Sequence, residues 1–264
     1  MIKKITIIGS GNVATILGKE LFHSGSPING VWSRNAKNAE QLAISLQTFG
    51  TNKIADLPGN SDLYLIAVSD DAIETVAHQL SKEFGYNIFI AHTSGSFSSE
   101  ILEKYVQNFG AFYCLQTFNK TSNPDFKKIP ILVSATSDLY ENKLMGLAQN
   151  LSDNCQIIEE KQRKRLHLAA VFVNNFVNHM YTISAELLKE YELNFKLLVP
   201  LIDQTNKRII AGDMPFDVQT GPAVRNDMKI IEQHMAMLED FPEFRKIYDA
   251  VTNNLLSFQV KKYD

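Results

Sequence analysis

Residues 5–14 read Ile5-Thr6-Ile7-Ile8-Gly9-Ser10-Gly11-Asn12-Val13-Ala14. A short apolar run breaks into G-x-G-x-x-A, just where a strand is expected to end and a helix to begin. Each small residue has a mechanical reason. Gly9 permits the tight turn out of the strand. Gly11 presents bare backbone to an approaching diphosphate, and Ala14 lets the helix lie close on the sheet. The first helical N–H groups, Asn12 and Val13 among them, are free to meet an anion, and Ser10 sits between the two glycines. The alternative is an ordinary Gly-rich turn. The strand–turn–helix setting favours a dinucleotide.

Working outward, residues 12–24 continue as a helix with an apolar face of Val13, Ile16, Leu17, Leu21 and Phe22. The stretch 24–27 closes it, and 28–32 is the next strand. Units that take NAD carry an acid about 20 residues beyond the glycines, bonded to the ribose 2′-hydroxyl. Here the place is held by Ser33 and Arg34. A guanidinium pairs with a 2′-phosphate that a carboxylate would repel. The sequence therefore predicts NADP. The alternative for Arg34 is a solvated arginine at the start of the next helix.

Further strands are expected at 62–68, 88–91, 111–118, 131–135 and 155–158, with helical segments at 36–46, 70–80, 98–105 and 139–151. Ser69 and the acids after it are expected to cap the helix at 70. Alternation of this kind gives an α/β, doubly wound, mostly parallel sheet. Such sheets bind ligands beyond the carboxyl ends of their strands. Val68, Ser69, Thr93 and Ser94 are accordingly expected beside the nicotinamide half.

At 159–165 the composition turns to Glu-Glu-Lys-Gln-Arg-Lys-Arg, most simply a solvated helix start between two domains. Beyond it only helical patterns follow, at 166–188, 194–210, 222–238 and 243–258. The reading is a dinucleotide-binding domain over 1–158 and an all-helical substrate and dimerisation domain over 159–264. Residues 166–188 are apolar on so many sides that burial in a bundle or a subunit interface is expected. On that helix His167, Asn174 and Asn178 share a face at α-helical spacing. A ligand in the cleft between domains, or hydrogen bonds to a neighbouring helix, would each satisfy them. In Thr220-Gly221-Pro222-Ala223-Val224-Arg225-Asn226-Asp227, Thr220 or Gly221 is the expected N-cap with Pro222 in the first turn. Arg225 then opposes the helix dipole. Holding a substrate carboxylate or pairing with Asp227 would each explain it.

No nucleophile elbow is present, and hydride transfer needs none. His92, Ser94, His167, Asn174, Asn178 and Arg225 are the candidates for proton transfer or substrate contact. The net charge of −3 gives no reason to expect nucleic acid or an anionic membrane. Two cysteines without metal or disulfide spacing suit a reducing cytoplasm, and no metal site is expected. The first four residues are basic enough to suggest a leader, but the apolar run behind them is too short. No membrane span is expected.

The glycine turn, Ser33-Arg34 and the helical second half together resemble the 6-phosphogluconate dehydrogenase-like superfamily. That group includes pyrroline-5-carboxylate reductase and F420-dependent NADP oxidoreductases. More closely, Leu115-Gln116-Thr117-Phe118, His167-Leu168-Ala169-Ala170-Val171-Phe172 with Asn174 or Asn175, and Thr220-Gly221-Pro222 with Arg225 and Asp227 resemble a family of NADP oxidoreductases. Its members pair a Rossmann-like domain with a helical domain of unknown function, DUF2520. The resemblance implies an NADP-dependent reductase of a small molecule and a homodimer through the long helix. That family often has His-Pro before its Leu/Met-Gln-Thr-Phe, whereas this chain has Tyr113-Cys114. The lysine that β-hydroxyacid dehydrogenases of the superfamily place four residues before an Asn is also missing, since Ala170 precedes Asn174 there. The rival expectation is a dinucleotide sensor or scaffold without turnover.

Overall fold

The computed structural model describes residues 2–263, with side chains through 258. The chain forms two compact units, Met1–Asn174 and Asn175–Asp264. The first is built on one eight-stranded sheet. Its strands are β1 (Ile5–Ile8), β2 (Ile28–Trp32), β3 (Gly50–Thr51), β4 (Leu63–Ile66), β5 (Phe89–His92), β6 (Asn108–Cys114), β7 (Ile131–Ala135) and β8 (Cys155–Ile157). They lie in the order β3-β2-β1-β4-β5-β6-β7-β8. All neighbours are parallel except β6 and β7. Helices α1 (Asn12–His23), α2 (Ala36–Ser45), α3 (Asp70–Phe84) and α4 (Asp138–Leu151) connect them.

Ile5, Ile8, Leu63 and Ile66 have no exposed surface, as a parallel strand requires when both sheet faces are covered. Two apolar clusters do the covering. One joins α1, α2 and α4 to the sheet. The other joins α3 and the segment from 99 to 106 to the opposite face. Each fully buried Ile or Leu contributes on the order of 1.5–3 kcal/mol, and the clusters hold the strand ends in fixed register.

Several local expectations change. The two-residue β3 is too short to register as a pattern. Residues 99–104 wind as a 3₁₀ turn. β6 ends at Cys114 rather than 118, because the ladder runs into Pro130: Leu115 N–H donates to its carbonyl, but proline has no N–H to return. The Ser69 side chain makes no capping bond to α3.

The stretch 166–188 is not one α-helix. It comprises the end of α5 (Glu160–Ala170), a π-helical turn at Val171–Phe176, and α6 (Val177–Lys189). Nor is it buried within this chain: Leu168 is 48% exposed and Val173 74%. The second unit continues with α7 (Val199–Ile210), α8 (Met228–Met237) and α9 (Pro242–Tyr263), and no strand follows β8 among the described residues. α8 starts six residues later than expected. Its N-cap is Asp227, whose carboxylate accepts from Ile230 N–H at 3.3 Å. Thr220 and Gly221 therefore do not cap it, and Arg225 lies in the preceding turns. Among the described residues, no helix is long and apolar enough to cross a membrane. None of their His, Cys, Asp and Glu side chains group to hold a metal.

Candidate functional site

Register builds the site. Trp32 pairs with Ile8, Ile8 with Ile66, Ile66 with His92, and His92 with Ala111. Four strands thus end in one row, and the residues that follow them emerge side by side. Backbone bonds extend the ladder by one step: Gly9 N–H to Trp32 O, Ala67 N–H to Ile8 O, and Thr93 N–H to Ile66 O.

Gly9 leaves β1 with φ +130°, and a Cβ there would fall 2.2 Å from the Ala67 carbonyl oxygen. Only glycine fits. Gly11 is the reverse case: a Cβ there would meet no atom within 4 Å. No side chain caps α1 and no acid lies in its first turn. Open space, uncapped N–H groups and the positive end of the helix dipole fit a diphosphate.

A cleft of about 340 Å³ lies over this row. It is lined by Gly9, Ser10, Gly11, Asn12, Val13, Ser33, Arg34, Val68, Ser69 and Thr93, together with Trp32 and Ala67. Ser94 is not part of the lining. Ser10 Oγ and Ser33 Oγ are 2.8 Å apart. Arg34 is exposed. Ion-paired arginines among the described residues are Arg163 and Arg208, so the Arg34 guanidinium is uncommitted. No acid stands at the end of β2.

The loop after β5 is held from below. His92 has no exposed surface. Its Nδ1 accepts from Ser94 N–H at 3.2 Å, and its Nε2 lies 2.8 Å from Ser99 Oγ. The accepting Nδ1 puts the ring proton on Nε2, which donates to Ser99. Burial, then repulsion from Arg163, pushes the imidazole pKa down to about 3. Ser94 Oγ accepts from Ser96 and Phe97 N–H. Both side chains are thus engaged in holding the loop.

Arg163, part of the charge run read as solvated, is 1% exposed. It turns inward because the loop presents carbonyls there. The guanidinium donates to Ser94 O and, at 2.8 Å, to Phe97 O. Glu160 joins it at 3.6 Å and accepts from Ser98 Oγ and Ser99 N–H, both at 2.7 Å. Burial raises the Glu160 carboxyl, but bonds from Lys164, Ser98 and Ser99 outweigh it and hold the group below its usual range.

One turn along α5, His167 packs on the same loop. A Cβ at Gly95 would fall 2.4 Å from His167 Nδ1, and that nitrogen is 3.0 Å from the Tyr113 hydroxyl. Asn174 donates to Thr117 Oγ1 at 2.6 Å, so its amide is satisfied within the sheet unit. The π turn breaks the α-helical spacing on which the His167–Asn174–Asn178 stripe depends. Asn178 and Arg225, both exposed, belong to the second unit.

Residues 4–95 match the family described as NADP oxidoreductase coenzyme F420-dependent. Residues 129–255 match a domain of unknown function, DUF2520. Among solved structures, a protein from Bacteroides fragilis described as a "putative NADP oxidoreductase" is 36% identical. Its TM-score is 0.89, over 97% of this chain and 98% of that one. The chain belongs to this NADP oxidoreductase family. A protein from Thermotoga maritima is 21% identical, with TM-score 0.70 over 98% of this chain and 100% of that one. A reductive aminase from Aspergillus terreus, in complex with NADPH and ethyl-5-oxohexanoate, is 13% identical with TM-score 0.70 over 100% of both chains. These two share the fold. No curated protein matches.

The oxidoreductase is thus of an NAD(P)-binding family, and the glycine cleft is where its sheet offers phosphate donors. Sequence reading passed over Trp32, Ala67, Tyr113, Glu160 and Arg163. Trp32 is the last apolar residue before polar Ser33, and Ala67 stands two before Ser69, which is a usable signal. Arg163 carries none, since four cations fall in the run 161–165 and helical spacing does not say which one turns inward.

Proposed function

We propose that this chain is an NADP-dependent reductase acting on a small molecule. Arg34 carries the reading: an exposed, unpaired guanidinium at the end of β2, on the cleft, where NAD-type units have an acid. A 2′-phosphate would accept charge-assisted hydrogen bonds from it. Gly9, Ser10, Gly11, Asn12 and Val13 would hold the diphosphate, Ser33 and Arg34 the adenosine phosphate. Val68, Ser69, Thr93 and the backbone of Ser94 would flank the nicotinamide. That ring, when bound, supplies hydride. Of the candidates for chemistry, His92 and Ser94 are assigned to shaping the loop, and Asn174 to fixing the chain beyond β6 through Thr117.

A homodimer is part of the same reading. Leu168 and Val173 in the first unit, and Leu201 and Ile210 in the second, are about half exposed or more. A second copy would cover apolar surface of this extent better than water does. Both cysteines are free thiols, which supports a reducing compartment such as the cytoplasm.

Fluorescence titration of the wild type and Arg34→Ala with NADPH and NADH tests the assignment. Preference for NADPH in the wild type, lost in the variant, is the expected result. Equal affinities, unchanged by the substitution, refute it.

A further inference from the structure

We propose that His167 delivers the proton in this reduction, that Tyr113 fixes and replenishes it, and that the substrate is a carbonyl compound. The proposal rests on the reading of the glycine cleft as a nicotinamide dinucleotide site.

Of the six candidates for proton transfer or substrate contact, three lie by the loop that follows Thr93. His92 has both ring nitrogens engaged and no exposed surface. Ser94 Oγ is occupied by two backbone N–H groups of its own loop. His167 differs. It is half-buried, its Nδ1 meets the Tyr113 hydroxyl at 3.0 Å, and its Nε2 has no hydrogen-bond partner among the described residues. It is pressed against Gly95, two residues beyond Thr93, which lines the cleft.

The direction of the Tyr113 bond follows from satisfaction. Tyr113 is 8% exposed. A buried phenol needs an acceptor for its O–H, and Nδ1 is the partner the structure gives it. With Nδ1 accepting, the neutral ring carries its hydrogen on Nε2, the nitrogen left without a partner. A hydrogen bond to one ring nitrogen thus decides what the other offers. Gly95 belongs to this arrangement: any side chain there would displace the imidazole from Tyr113.

A donor of this kind suits a carbonyl. An iminium nitrogen arrives with its proton in place, whereas a carbonyl oxygen becomes an alkoxide unless one is supplied. In the step, the carbonyl carbon gains a hydride from the reduced nicotinamide, which is oxidised, and the C=O π pair moves onto oxygen. The Nε2–H bond breaks as the alcohol O–H forms. Nδ1 takes the phenolic proton of Tyr113; the starting state returns when Nε2 gains a proton from water and Nδ1 hands its own back to the phenolate. Arg163, whose charge lowers the Tyr113 pKa against the larger effect of burial, eases that transient charge.

The decisive measurement needs no coenzyme. In ¹⁵N-labelled protein, long-range ¹H–¹⁵N correlation, assigned with His167→Gln, should show His167 as one neutral tautomer protonated at Nε2. Tyr113→Phe should lose that single signature. An Nδ1-protonated ring in the wild type, or a signature unchanged in Tyr113→Phe, overturns the pairing. NADPH oxidation is then followed with 2,3-butanedione and glyoxylate as carbonyl probes and 1-pyrroline as the imine probe. At least one carbonyl probe should be reduced, with about a 100-fold loss in His167→Gln and unchanged NADPH affinity. Consumption of 1-pyrroline alone, of no probe, or full rate in His167→Gln overturns the proposal while the coenzyme reading stands. Failure of the wild type to bind NADPH overturns both.

Discussion

Ser10 and Ser33 share a hydrogen bond of 2.8 Å between their hydroxyls. It joins the glycine turn after β1 to the end of β2 and stations Ser33, 8% exposed, beside the position where an adenosine ribose would lie. Ser33→Asp puts a carboxylate there. It repels a 2′-phosphate and accepts from a 2′-hydroxyl. The ratio of NADH to NADPH affinity should rise at least about tenfold, the equivalent of about 1.4 kcal/mol, in paired titrations.

Gly9 and Gly11 should separate stability from binding. Gly9→Ala forces a side chain into a φ of +130° and against Ala67 O. Strain and overpacking together should cost about 2–5 kcal/mol, read from urea unfolding. Gly11 has an ordinary φ of −74° and open space before it. Gly11→Ala should leave stability within about 0.5 kcal/mol of the wild type and weaken dinucleotide binding at least tenfold.

Acid should find His92. In the folded chain its pKa is pushed to about 3 by burial, while the unfolded chain protonates near 6.5. The unfolded state therefore binds more protons between these values, and stability falls as pH drops through that window. The slope from this group is about 1.4 kcal/mol per pH unit, or about 2 kcal/mol from pH 6.5 to 5. Above 6.5 the contribution is complete. Urea midpoints of the wild type should decline across the window, and those of His92→Gln should decline less.

Removal of Arg163 leaves two loop carbonyls without their buried donor. Arg163→Ala should cost about 3–5 kcal/mol. Lys207→Ala, which breaks an exposed pair with Asp203, should cost under about 1 kcal/mol. Equal effects in thermal unfolding would contradict the clamp.

Sedimentation should give twice the mass of one chain. Leu201→Asp, an exposed position on α7, should shift it toward the single-chain mass with secondary structure intact by circular dichroism.

The sheet was legible because its signals are local. Alternating apolar runs, a glycine turn and helical periodicity each sit within a dozen residues, and β1, α1 and β2 fall within a residue of expectation. The cleft was legible for the same reason: parallel register carries the residues after each strand to one edge. Contacts between distant segments were not legible. The Tyr113–His167 bond spans 54 positions, and neither residue signals the other. The π turn at Val171–Phe176 hid as well, since an apolar run has the same composition whether its bonds span four residues or five. Asp227 is a good N-cap residue type, but Pro222 offered a stronger start signal and drew the expected boundary to 222, which put Asp227 inside the helix as a partner for Arg225.

The Arg163 clamp has a consequence for the order of assembly. Its two bonds bridge 69 and 66 positions, whereas the Ser10–Ser33 link bridges 23. On the ribosome, the phosphate cradle can close once β4 has emerged. The loop beyond Thr93 must wait for the chain through residue 163. The two ends of the cleft are therefore finished at different moments of synthesis, and the end next to His167 comes last.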